Sequence, residues 1–97
     1  METYLVDIGR TASGYSAHCP DVPGCAAVGK TVEKVVANMK EALELCFGGM
    51  RENGEPIPRS GGVDSYREMM KDLDFDQYFL AHIQIDTSRF PARVNHS

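Results

Sequence analysis

Histidines, cysteines and clustered carboxylates are the side chains here that could do chemistry. His18 and His82 would suit metal-free cleavage of RNA, one as acid and one as base, because imidazole titrates near neutrality. Both fall in strand-like sequence, facing away from the expected core, and no spacing brings them together. A strand histidine of that kind ordinarily serves as an exposed or interface side chain. Cys19, Cys25 and Cys46 form an odd set without a paired CxxC. A nucleophilic thiol needs a nearby base and an oxyanion site, and neither can be named. A zinc site needs a fourth ligand, and His18 is the only nearby imidazole. Buried reduced thiols are the reading, with a Cys19–Cys25 bridge across the intervening turn as the alternative. The residues call for no metal and no cofactor, and the chain reads as non-enzymatic.

The carboxylates Asp64, Glu68, Asp72, Asp74 and Asp76 are interrupted only by Arg67 and Lys71 among charged residues. The plain account is a solvated helix-and-loop surface. The functional account is an acidic patch that meets a basic, RNA-binding partner, with Tyr78 and His82 of the following strand beside it. Tyr66, Tyr78 and Phe90 are candidates for a self-association face, and a homodimer or higher homo-oligomer is expected. A net charge of −4 argues against direct nucleic-acid binding by phosphate neutralisation.

The elements that position these groups follow from the alternation of apolar and polar residues. Tyr4-Leu5-Val6-Asp7-Ile8 alternates, placing Tyr4, Val6 and Ile8 on one face and Leu5 and Asp7 on the other. Asp7 reads as a solvated sheet-face residue. Thr11 to Gly14 is a polar turn whose glycine sits where hairpins often need positive φ. Tyr15 to Cys19 is a second strand and Cys25 to Val28 a third, so the three make an antiparallel meander. Between the last two lies Pro20-Asp21-Val22-Pro23-Gly24. Two prolines fix φ, Gly24 can close the turn, and Asp21 is expected to accept backbone N–H bonds, with contact to a partner's arginine as the alternative.

Thr31 begins a long helix with Glu33 in its first turn. Val32, Val35, Val36, Met39, Leu43, Cys46, Phe47 and Met50 give it one apolar stripe. Gly48-Gly49 should fray its last turns, and Gly54 is a natural C′ residue with Pro56 and Pro58 beyond. Ser65-Tyr66-Arg67-Glu68 has capping-box spacing, so residues 65 to 73 read as a short second helix. Phe79 to Ile85 is a fourth strand with Phe79, Ala81, Ile83 and Ile85 toward the core. The fold class is α+β: an antiparallel three- to four-stranded sheet with a long helix on one face, β-β-β-α-(α)-β.

Pro20-Asp21-Val22-Pro23-Gly24-Cys25, then Gly29-Lys30-Thr31, Ala37-Asn38, Glu41-Ala42 and Gly54 with Pro56, Ile57 and Pro58 resemble the N-terminal domain of HicB-like antitoxins. The resemblance runs from about residue 4 to residue 58. It implies a partial (degenerate) ribonuclease H-like fold whose fourth strand joins the meander. It also implies a partner, a small basic HicA-type toxin that cleaves messenger RNA with a catalytic histidine, bound so that its active site is covered.

Ribonuclease H enzymes hold two metals on several carboxylates. Here Asp7 and Glu41 stand nearly alone, so a degenerate nuclease is the weaker rival. An orphan homo-oligomeric scaffold without a toxin is the other. Many relatives continue into an operator-binding domain. This sequence stops at Ala92-Arg-Val-Asn-His-Ser97, so residues 1–97 read as one domain with a 92–97 tail and the DNA-binding domain absent. With no signal peptide before Tyr4 and no apolar run near the roughly 18 residues of a membrane span, a cytoplasmic location is expected.

Overall fold

The structure is a computed structural model that describes residues 1–61, 64, 67, 68, 71 and 78–90. Strand β1 spans Glu2–Thr11, β2 Gly14–His18 and β3 Ala26–Gly29. Helix α1 runs Val32–Glu52 and strand β4 Tyr78–Ile85, with a 3-10 turn at Thr87–Arg89. The sheet order is β3-β2-β1-β4 and each described pairing is antiparallel. The fourth strand therefore pairs with the first, opposite ends of the described chain meeting side by side. Asp64, Arg67 and Glu68 are helical. The rest of the second helix expected over 65 to 73 lies outside the described residues.

Helix α1 starts where threonine can cap it: the Lys34 N–H donates to Thr31 Oγ1 at 3.1 Å, with Glu33 in the first turn. Its buried residues, Val35, Met39, Leu43 and Phe47, recur every fourth position and lie along one side. Against them stand Tyr4, Val6 and Ile8 of β1, Ala17 of β2, and Ile83 and Ile85 of β4. Each large apolar side chain fully buried in this way contributes about 1.5–3 kcal/mol. Tyr4 and Phe47 pack rings 5.3 Å apart at their centroids, and Phe90 meets Phe47 edge-on at 6.0 Å.

The expected fraying at Gly48-Gly49 does not occur. The helix continues to Glu52 and ends in a Schellman turn, with Glu55 N–H donating to Met50 O at 2.7 Å and Gly54 N–H to Arg51 O at 3.1 Å. Gly54 takes φ +74°, which an L side chain would resist. Met50 inside the core's rim and Arg51 Nε donating to Phe90 O at 2.8 Å hold the last turn. Those contacts outweigh a propensity cost of about 1 kcal/mol per glycine.

The turn between β2 and β3 is two successive β-turns, Val22 N–H to Cys19 O and Cys25 N–H to Val22 O, both at 3.1 Å. Gly24 has φ +86°, as its place after Pro23 requires. Val22 is buried and plugs the core from this turn. The role expected of Asp21 is not realised. Its Oδ2 is buried without a hydrogen-bond partner among the described residues, and the turn is closed through the backbone instead, with the Val22 N–H on the Cys19 carbonyl. Nor does Gly14 take positive φ. It is glycine because the Gly29 carbonyl lies where a Cβ would stand.

Candidate functional site

Helix α1 packs on one face of the sheet; the opposite face, the open face, is the one α1 does not touch. The pleat fixes which side chains line that open face. Asp7 of β1 sits between His18 of β2 and Leu80 of β4; Leu5 lies opposite His82; Gly9 lies between Ser16 and Tyr78. On β3, Ala26 stands beside His18 and Val28 beside Ser16. The Tyr78 ring lies over Gly9, filling the space a side chain would take. His18 and His82 are exposed, and Val28 and Leu80 are among the exposed large hydrophobics.

Asp7 corrects the reading of a solvated side chain: it is only 3% exposed. β1 is an inner strand, so neighbours on both sides close over its carboxylate. His18 Nδ1 approaches Asp7 Oδ2 at 3.9 Å, while Asp7 Oδ1 has no hydrogen-bond partner among the described residues. Burial raises the Asp7 pKa above its ordinary 3.8, against a smaller downward pull from its own backbone N–H and from His18. The signal that hinted at this was Leu5, an apolar residue sharing the face assigned to solvent.

The sign of the resulting pH dependence is definite. The folded chain holds the Asp7 proton more tightly than the unfolded chain. Below the unfolded value both states are protonated and nothing is lost; as pH rises above 3.8 the fold increasingly carries a buried charge. This group therefore lowers stability toward neutral pH. Asp7→Asn is expected to raise stability at neutral pH by about 1–2 kcal/mol, with the gain shrinking toward acid. Urea unfolding of both proteins across that range checks it; a difference independent of pH would refute it.

The two histidines share the open face but are not brought together. β1 lies between their strands, and their registers differ by two residues, which separates them by roughly 10–12 Å. Asp7 and Glu41 are separated more completely, Asp7 on the open face and Glu41 exposed on the helix that covers the other. Among the described residues no group of three or more His, Cys, Asp or Glu could hold a metal ion. The thiols are free, Cys19 and Cys25 buried and Cys46 half-buried. Burial pushes Cys19 up to about 11, and burial followed by the neighbouring Cys46 thiol pushes Cys25 up to about 12. Thiols held in that form are poor nucleophiles.

Of the residues proposed to meet a partner, Asp64 and Glu68 are exposed, Glu68 paired with Lys71 at 3.3 Å. Tyr78 and His82 lie on the open face; Asp72, Asp74 and Asp76 lie outside the described residues. Leu80, not named among those residues, shares their face, as the placing of Phe79, Ala81, Ile83 and Ile85 toward the core implies, and it is exposed. Among the described residues, a depression of 150 Å³ at Tyr4 and Arg51 and one of 300 Å³ at Tyr15 and Val28 reach at most the low end of about 300–1,000 Å³ for small-molecule sites. No helix among the described residues is long and apolar enough to cross a membrane. The arrangement suits contact over a surface.

A family profile described as "HicB_like antitoxin of bacterial toxin-antitoxin system" matches residues 4–97. An uncharacterised 14.9 kDa protein of the rep-hol intergenic region of Haemophilus phage HP1 is 35% identical over 72 residues, covering 74% of this chain and 54% of that protein. The chain thus spans about half the length of that relative. Among solved structures, the Burkholderia pseudomallei antitoxin HicB superposes with a TM-score of 0.76 at 24% identity, over 100% of this chain and 75% of that one. The HicA3 and HicB3 toxin-antitoxin complex contains a chain that superposes with a TM-score of 0.69 at 24% identity, over 87% of this chain and 98% of that one.

Proposed function

The chain belongs to the HicB-like antitoxin family of bacterial toxin–antitoxin systems, and from that footing we propose that it acts by covering a partner rather than by chemistry of its own. The partner is a small basic HicA-type toxin that cleaves messenger RNA, met in the cytoplasm and bound so that its active site is closed. The observation that carries this reading is the sheet face opposite α1, where Tyr78, Leu80 and His82 line up and Leu80 and His82 are exposed. The acidic residues Asp64 and Glu68, with Asp72, Asp74 and Asp76, extend the surface electrostatically toward a basic protein.

The sheet and helix are read as a partial ribonuclease H-like fold that has kept the platform and lost the carboxylate set. Asp7 and Glu41 on opposite sides of the sheet support that. A net charge of −4 supports a protein partner over direct nucleic-acid binding.

Co-expression with the small basic protein encoded beside it tests the proposal. A stable complex that abolishes the partner's RNA cleavage is expected, and no complex at micromolar concentration would overturn it. Within that complex, Asp64→Lys combined with Glu68→Lys is expected to weaken binding about two- to tenfold, mainly through slower association. Binding kinetics at low and high salt check it, since the deficit should shrink as salt rises.

A further inference from the structure

We propose that Cys25 and Cys46 form a modification site, a dithiol that hydrogen peroxide converts to a disulfide joining the start of β3 to α1. The placement follows from how strand and helix lie on each other. A Cβ added to Gly29 would stand 2.5 Å from the Val35 nitrogen, and Asn38 Nδ2 donates to the Val28 carbonyl at 2.8 Å. Moving back along β3 therefore moves forward along α1. From Gly29 back to Cys25 is four residues of extended chain, about 13 Å. From Val35 on to Cys46 is eleven residues of helix, about 16 Å. The two cysteines arrive at the same level.

The faces agree as well. Alternation turns Cys25, Ala27 and Gly29 toward the helix and Ala26 and Val28 away from it, and Ala26 and Val28 are exposed. On the helix, Val35, Asn38, Ala42 and Cys46 follow at steps of three, four and four, which is one stripe. Ala27 and Ala42 both pack against the core, and their small side chains let the two backbones come close. The Cys25 and Cys46 side chains are hydrogen-bonding partners.

Burial separates the roles of the two thiols. Cys46 is half-buried, so solvent reaches it, whereas Cys25 is 3% exposed. The Cys46 sulfur attacks one peroxide oxygen, the O–O bond breaks, and the thiol becomes a sulfenic acid with release of one water. The Cys25 sulfur then attacks Cys46 Sγ. The S–S bond forms, the S–O bond breaks, and the hydroxyl group leaves with the Cys25 proton as a second water. Together the two thiols lose two electrons and the peroxide is reduced to water. Cys19 is the competing partner for Cys25, but both are buried, so a bridge between them offers the oxidant no entry. In the oxidised chain the β2–β3 turn is pinned to α1. This inference concerns the chain alone and does not depend on the toxin reading.

Treatment of the purified, reduced chain with hydrogen peroxide tests it. Thiols titrated in denaturant are expected to fall from three to one, and dithiothreitol should restore all three. A digest made without reductant should contain the Cys25 and Cys46 peptides joined and lighter by two hydrogens. Cys46→Ser should keep its two remaining thiols under the same treatment. Cys25→Ala should stop at a Cys46 sulfenic acid, captured as an adduct by dimedone. The wild-type digest gives the answer even if a variant fails to fold. Three thiols surviving the peroxide, a bridge between Cys19 and Cys25, or two chains joined through Cys46 would each overturn the proposal.

Discussion

Phe47→Ala is expected to remove about 3–5 kcal/mol of stability, most of what a domain of this size possesses. Phe47 is fully buried on the last turns of α1, with the Tyr4 ring on one side and the Phe90 ring on another. Truncation leaves a void between the helix, the central strand and the segment after β4. The walls cannot collapse into it easily. Tyr4 Oη donates to Pro58 O at 2.7 Å and Arg51 Nε holds Phe90 O, so two of the three neighbours are tethered. Urea unfolding should show a midpoint shifted far down, and Phe47→Leu should recover much of the loss because it restores most of the volume. A loss below about 1 kcal/mol would show that the three rings are not the keystone described above.

Gly29→Ala is the second large effect, and its origin is different. A Cβ at Gly29 would stand 2.5 Å from the Val35 nitrogen and 2.8 Å from its Cα. Both are backbone atoms in the first turns of α1, so no side-chain rotation relieves the clash. The helix must move away from β3, which breaks the Thr31 cap geometry and the Asn38 bond to Val28 together. A loss of about 2–4 kcal/mol is expected, on the scale of other core overpacking and cap losses combined. Gly49→Ala is the matched control: nothing lies within 4 Å of the added Cβ, and the site is helical. There the same substitution should stabilise by about 0.5–1 kcal/mol. Opposite signs for the two are the expected readout of thermal or chemical unfolding. A tolerated Gly29→Ala would mean that the helix start is not pressed against β3.

Much of this architecture could be read from residue types because local signals agreed with one another. Prolines and Gly24 defined the turn, Thr31 the helix start, and four-residue apolar spacing the buried side of α1. What could not be read depended on the chain's other end. Asp7 looked solvated because alternation tells which face a residue occupies and says nothing of how many strands flank it. Only the docking of β4 beside β1 makes that strand an inner one and buries the carboxylate. Gly48-Gly49 misled for a related reason: intrinsic propensity was overridden by Met50, Arg51 and Phe90, the last distant in sequence. Asp21 did not become a turn acceptor because the backbone closes the turn itself, the Val22 N–H on the Cys19 carbonyl and the Cys25 N–H on the Val22 carbonyl. Tyr78, Leu80 and His82 were legible as residues of one face, since the alternation that turns Ala81, Ile83 and Ile85 to the core turns these three away, whereas Phe79, expected toward the core, is exposed.

The pairing of β1 with β4 has a consequence for how the molecule comes into being. During synthesis the meander and helix emerge first, and β1 waits with one whole side of its peptide groups unpaired until β4 leaves the ribosome. The docking of β4 is therefore a closing step, and its loop-closure entropy makes it slow relative to the meander. A nascent or truncated chain that stops before Tyr78 would present a bare apolar strand, the natural target for a chaperone or protease.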